Sequence, residues 1–247
     1  MPDNLTIFYL MAALVMLLIG LSKGGLGGLM GAMATPLMAL VMPADQVIGL
    51  LLPLLMLADI FAVASHWRKW RWRLVLLLLP GALIGVVIGT VFIENAPTHS
   101  LRVIIGVITL LFTIYKLLEA RLKLSGRYQG RDWHGLLAGT VAGFASSVAH
   151  TGGPPVSIYL LLQDLTPRVF VATTALFFAL LNWMKVPFYA AAGLFHFDQL
   201  ARIVWLLPLL PLGVLAGRWL AVRINKAAFD RMITVLLALT ALLLIFE

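Results

Sequence analysis

The chain contains no cysteine in its 247 residues. That excludes a disulfide framework, a thiolate metal site and a cysteine nucleophile. Charge is nearly as scarce: 11% of residues are charged, against 62% hydrophobic. A water-soluble domain does not have that composition. There is no HExxH and no P-loop. Zincin and nucleotide-driven chemistry therefore have no signature here, and no cofactor or metal is implied. The chain reads as a non-enzyme, and as no primary pump unless a separate ATPase subunit drives it. The alternating stretches of about 10 residues that build a membrane barrel are also missing. The start, "MPDNLTIFYLMAAL", lacks a basic n-region and a small-residue cleavage site. It is expected to be a retained first helix.

What remains is a series of apolar stretches near membrane-spanning length, about 20 residues each. Spans are expected over residues 47–65, 74–93, 101–118, 169–192, 201–222 and 232–246. Two further apolar segments, 5–41 and 136–162, are broken by "GLSKGGLGGLMG" and by "HTGGPP". The net charge of +8 does not point to nucleic acid, because the basic residues sit in short loops between apolar segments. "HWRKWRWR", the linker "EARLKLSGRYQGRDWH" and "RINKAAFDR" collect Lys and Arg, whereas "ENAPTH" and "GLFHFDQ" have none. Basic loops stay in the cytoplasm, so the first three share the inner side. That parity holds only if 136–162 enters and leaves by the same face. The segment is therefore expected to be a hairpin with its tip inside the bilayer. Its return arm, 154–163, is too short to cross at ~1.5 Å per residue.

The two halves match. "PGALIGVVIG" (80–89) and "PLLPLGVLAG" (208–217) share Pro, Gly and Gly at one spacing. Each leads through an Asn-containing loop (Asn95, Asn225) to an Arg-started last span (Arg102, Arg231). Each half also opens with a glycine-broken segment. The expected architecture is an all-α polytopic membrane protein built by inverted-topology duplication. Each half is a glycine-broken helical hairpin plus three transmembrane spans. The first repeat covers 1–119, a cytoplasmic linker 120–133 and the second, inverted repeat 134–247. Three spans per half invert the second half, and both termini fall outside. Inverted repeats with broken helices mark transporters, whose site lies at the repeat interface near the midplane.

The two tips supply the candidate site. Glycines at 24, 25, 27, 152 and 153 permit close backbone approach. Pro154 and Pro155 suit a helix start. The return arms would point their positive N-termini at the centre, which favours an anion. Ser22, Ser146, Ser147 and Thr151 add donors, and Lys23 adds a charge. Lys23 either serves a ligand or is snorkelling or paired; a charge inside the membrane costs at least about 2.5 kcal/mol, which argues for a purpose. Lys185 and Asn182 share a face of one span, and Lys185 is either a ligand contact or a structural ion pair. Asp59 occupies the position of Asn182 in the other half, and is expected to pair Lys185 or Lys23, with proton coupling as the alternative. His150 either titrates near neutral pH or stays neutral through hydrogen bonds. Gly85, Gly89, Gly213 and Gly217 read as helix packing, and Trp67, Trp70 and Trp72 as an interfacial belt.

"GLSKGGLGGLMGAMATPLMAL" and "GFASSVAHTGGPPVSIYLL" resemble the paired glycine-rich motifs of the TauE/SafE sulfite-exporter family, and so does "TPRVFVATTALFFALLNWMKVPFYAAAGLF". The resemblance covers nearly the whole chain. It implies a transporter of sulfite, an organosulfonate or a related small anion in the bacterial inner membrane. "HTGGPP" departs from the plainer G-x-G-G-G run of many members, so His150 and the prolines reshape the pocket. The expected function is a secondary transporter working by alternating access. An anion channel, or a carrier of another small sulfur-containing anion or a carboxylate, is the alternative; a membrane scaffold or receptor is a third class. The expected partners are a small anion and the lipid bilayer, not nucleic acid. A coupling proton and a homodimeric state stay open.

Overall fold

The computed structural model describes residues 5–26, 28–119, 131–220 and 223–246. Most of the expected linker and Gly27 lie outside the described residues. Every regular element among the described residues is helical. In order they are α1 (Leu5–Leu21), a wide turn (Ser22–Leu26), α2 (Gly28–Ala32), α3 (Ala34–Ala39), α4 (Ala44–Ser65), α5 (Trp72–Asn95) and α6 (Thr98–Glu119). After the linker come α7 (Asp132–Ala149), α8 (Gly153–Leu161), α9 (Pro167–Ala191), α10 (Phe197–Ile203), α11 (Leu209–Leu220) and α12 (Lys226–Phe246). Among the described residues six helical stretches are long and apolar enough to cross a membrane: Leu5–Gly25, Ala44–Ser65, Trp72–Asn95, Thr98–Leu118, Pro167–Ala191 and Ala228–Phe246. The chain is a polytopic all-α membrane protein. Its outward faces carry large apolar side chains such as Leu10, Leu76, Leu111 and Leu215, as contact with lipid requires.

Two differences from the expected elements have local causes. The span expected over 201–222 is bent by 52° between Phe197–Leu206 and Leu209–Leu220. Pro208 lies at the bend; it offers no N–H and its ring clashes with the carbonyl one turn earlier. The first broken segment is also uneven. With its wide turn, α1 is as long as a full span, about 30 Å at 1.5 Å per residue. Its return arm is short and interrupted at Met33, between α2 and α3. In the second broken segment α7 is twice the length of α8 (18 against 9 residues).

Glycine stripes set the closest helix contacts. α5 lies against α7, and α1 lies against α11. A methyl group on Gly85 would sit 2.1 Å from the Thr140 carbonyl oxygen, and one on Gly20 would sit 2.4 Å from that of Leu210. Neither position accepts any side chain without separating the helices. α6 packs on α12 and α4 on α9. The largest apolar core joins α1, α3, α4 and the α10–α11 segment around Met16, Ile48, Leu51 and Leu210. A second core joins α5, α7, α8 and α9 around Leu78, Val156, Leu160 and Phe177. The buried polar side chains of α4, α7 and α9 are Asp59, Ser146, Ser147, Thr173, Asn182 and Lys185.

Candidate functional site

The chain reverses in the second broken segment through His150. That residue adopts a left-handed backbone, φ 52°, a conformation that costs a non-glycine residue about 1–2 kcal/mol. The His150 and Thr151 N–H groups donate back to the carbonyls of Ser146 and Ala145, so the end of α7 is capped inside the protein. α8 then starts at Gly153. Pro154 and Pro155 have no N–H, so Gly153 and Val156 are the first residues of α8 with a donor to offer. In the first broken segment the wide turn kinks at Gly25, φ 126°, which glycine adopts without strain.

These two reversals meet around a cavity of about 120 Å³. Drug-sized ligands occupy about 300–1,000 Å³, so only a small ligand fits. The polar wall is Ser22, Lys23, Ser146, His150, Thr151 and Asn182, with Gly153 at the start of α8. The apolar wall is Ala32, Leu55, Phe112 and Phe178, with Gly31 beside Ser22. The Thr151 hydroxyl is buried and has no hydrogen-bond partner among the described residues.

Lys23 lies 2.5 Å from Asp59. The other oxygen of Asp59 accepts from the Asn182 amide at 2.7 Å. Asp59 thus links the first turn to α9 across α4. An ammonium has three donors and Asp59 takes one, while the Lys23 side chain keeps 21% exposure toward the cavity. Lys185 does not pair with Asp59. It is fully buried and donates to the Ser146 carbonyl (3.2 Å) and the Ser146 hydroxyl (3.1 Å), and it lies 3.1 Å from His150 Nδ1. His150 Nε2 lies 3.0 Å from the Ile48 carbonyl. A carbonyl only accepts, so Nε2 carries the hydrogen and donates it. Tyr189 donates to the Ser147 carbonyl at 2.6 Å, and its ring faces the Lys185 ammonium at 5.8 Å.

Of the residues expected at the site, Ser22, Lys23, Ser146, His150, Thr151, Gly153 and Asn182 line the cavity. Asp59 and Lys185 stand one layer behind it, each bonded to lining residues. Gly24 and Gly152 are packing positions: a methyl group would meet the Val214 carbonyl oxygen at 2.3 Å and that of Ala142 at 2.5 Å. Ser147 is buried beneath Gly89 and away from the cavity. Gly25 shapes the turn without lining the cavity, and Gly27 is outside the described residues. The sequence reading did not find Gly31, Ala32, Leu55, Phe112 and Phe178. Two of them had a usable signal. Leu55 precedes Asp59, and Phe178 precedes Asn182, by one helical turn, so each shares a face with a residue already singled out.

A family model described as "Sulfite exporter TauE/SafE" matches residues 12–244. No curated protein and no solved structure matches the chain.

Proposed function

The chain belongs to the sulfite exporter TauE/SafE family, and on that premise we propose that it is a secondary transporter of a small anion, sulfite or an organosulfonate, held in the cavity between the two broken segments. The family is one of membrane transporters and not of enzymes. The observation that carries the proposal is the polar wall. Among the described residues the Lys23 ammonium donates to Asp59 alone, Thr151 presents an unpartnered hydroxyl, and α8 starts at the cavity. The charges add to the same effect. Lys23 and Asp59 cancel, which leaves the Lys185 ammonium as the net charge behind the polar wall. A single negative charge complements it. Charge-assisted hydrogen bonds to Lys23, and helix-end dipoles, hold such a charge without a metal.

The packing supports alternating access. Helix pairs related by the proposed duplication correspond: α1 on α11 answers α7 on α5, and the pairs α6–α12 and α4–α9 answer themselves. Leu55 and Asp59 on α4 stand as Phe178 and Asn182 do on α9: Leu55 and Phe178 both line the cavity, and Asp59 accepts from Asn182. This supports an inverted repeat whose halves rock about a shared site. The basic loops support a cytoplasmic linker with both termini outside, and the family supports the bacterial inner membrane. A binding screen on purified protein tests the reading. Sulfite, thiosulfate, alkylsulfonates and small carboxylates are titrated against wild type and Lys23→Met. Saturable binding of a sulfur oxyanion, weakened in the variant, is expected. No binding of any of them by folded protein would overturn it.

A further inference from the structure

We propose that His150 and Lys185 together form the binding site of a coupling proton, which enters the molecule with the anion. This rests on the reading of the cavity as an anion site and names the ion that accompanies it.

The hydrogen-bond geometry carries the argument. His150 Nε2 is committed to the Ile48 carbonyl, so Nδ1 and the Lys185 nitrogen face each other at 3.1 Å. Two bases share one hydrogen there. With the ammonium form, Lys185 donates three hydrogens, to the Ser146 carbonyl, the Ser146 hydroxyl and Nδ1. With the amine form, two hydrogens go to the carbonyl and Nδ1, and the nitrogen lone pair accepts from the Ser146 hydroxyl, which can donate as well as accept. Every contact is satisfied in both states with no heavy atom displaced. The site can therefore hold or release one proton inside a packed core.

The surroundings decide when the proton is held. The groups facing the couple are Tyr189 and Asn182 from α9, Asp59 and the Ile48 carbonyl from α4, Lys23 from the first turn, and Ser146 and Ser147 from α7. Asp59 is the one carboxylate in this set, and Lys23 and Asn182 already occupy both of its oxygens. Among the described residues Lys185 has no carboxylate partner. The Tyr189 ring face and three neutral acceptors contact it directly, and the Asp59 carboxylate acts on it only from a distance and against the charge of Lys23. A buried cation without a counter-charge gives up its proton more readily than it remains charged. An anion in the cavity, against Ser146 and His150, supplies the missing counter-charge. Anion and proton then favour each other reciprocally, and a monoanion with one proton adds no net charge to the core.

The test uses the full-length protein in detergent with methanesulfonate, a strong acid whose own protonation does not change. A pH dye in weak buffer counts protons exchanged on binding, and calorimetry gives the affinity. The expected result is uptake approaching one proton per anion at alkaline pH. Affinity is expected to fall towards tenfold per pH unit there, because raising pH removes the proton that binding requires. Lys185→Met, permanently neutral, and Lys185→Arg, permanently charged, are both expected to bind without proton uptake. If neither variant folds, His150→Gln, which keeps a donor for Ile48, is expected to shift the pH at which affinity falls. Methanesulfonate binding with no proton exchange in wild type, or uptake unchanged in a folded Lys185 variant or in His150→Gln, would overturn the proton site and leave the anion reading intact. No methanesulfonate binding at any pH would overturn both.

Discussion

Replacing Lys23 by Met separates two roles that one ion pair combines. Asp59 is buried, and its two oxygens are held by Lys23 at 2.5 Å and Asn182 at 2.7 Å. The change removes one of those donors and leaves a carboxylate with a single neutral partner inside the membrane. Breaking a buried pair from one side costs about 3–5 kcal/mol. The Lys23 side chain keeps 21% exposure, so the low end, about 3 kcal/mol, applies. That corresponds to a fall of roughly 6–12 °C in unfolding temperature. Adding Asp59→Asn removes the stranded charge and should return stability to within about 1 kcal/mol of wild type. The anion loses its charge-assisted bond in both variants, worth about 1.5–3 kcal/mol, so affinity should stay roughly 10- to 150-fold weaker in the double variant. Thermal unfolding in detergent and calorimetric titration with methanesulfonate measure the two quantities. Recovery of affinity together with stability in the double variant would refute the argument, because Lys23 would then serve Asp59 alone.

Further expected outcomes follow from other positions. Gly152→Ala should reduce the yield of folded protein, since its methyl group would lie 2.5 Å from the Ala142 carbonyl oxygen, whereas Gly153→Ala should fold normally, its nearest neighbour being the Phe112 ring at 3.7 Å; size-exclusion profiles compare them. Tyr189→Phe removes the donor to the Ser147 carbonyl and should destabilise the protein by about 1–3 kcal/mol in thermal unfolding, the cost of an unsatisfied buried acceptor. Single-cysteine labelling of the cysteine-free chain should reach Ala96→Cys, and not Ser125→Cys, from outside intact cells; the opposite pattern would invert the proposed orientation.

The spans were legible because length and apolarity decide them. The bend in the 201–222 segment was not, although Pro208 stood in plain view, because the same proline had served to align the two halves. Lys23, Asp59, Asn182 and Lys185 stood out because a polar side chain in lipid needs a reason. Their pairing did not. Asp59 could reach either lysine on paper, and only the fold puts Lys23 beside it and turns Lys185 toward Ser146 and His150. The glycines misled in part. Gly24 and Gly152 have the composition of a ligand cradle, yet carbonyls of neighbouring helices fill the space beside them. Phe112 and Ala32 line the cavity, but an apolar residue in an apolar helix offers no contrast by which to find it.

Counterflow in proteoliposomes tests the transport claim most directly. Vesicles holding the purified protein are preloaded with unlabelled sulfonate, and the entry of labelled sulfonate is followed over time. The account predicts entry that saturates with concentration, is accelerated by anion on the far side, and is strongly reduced in Lys23→Met. Entry that rises linearly with concentration and ignores the anion inside would make the protein a channel. No entry at all, for a protein shown to be folded in the vesicles, would contradict the account.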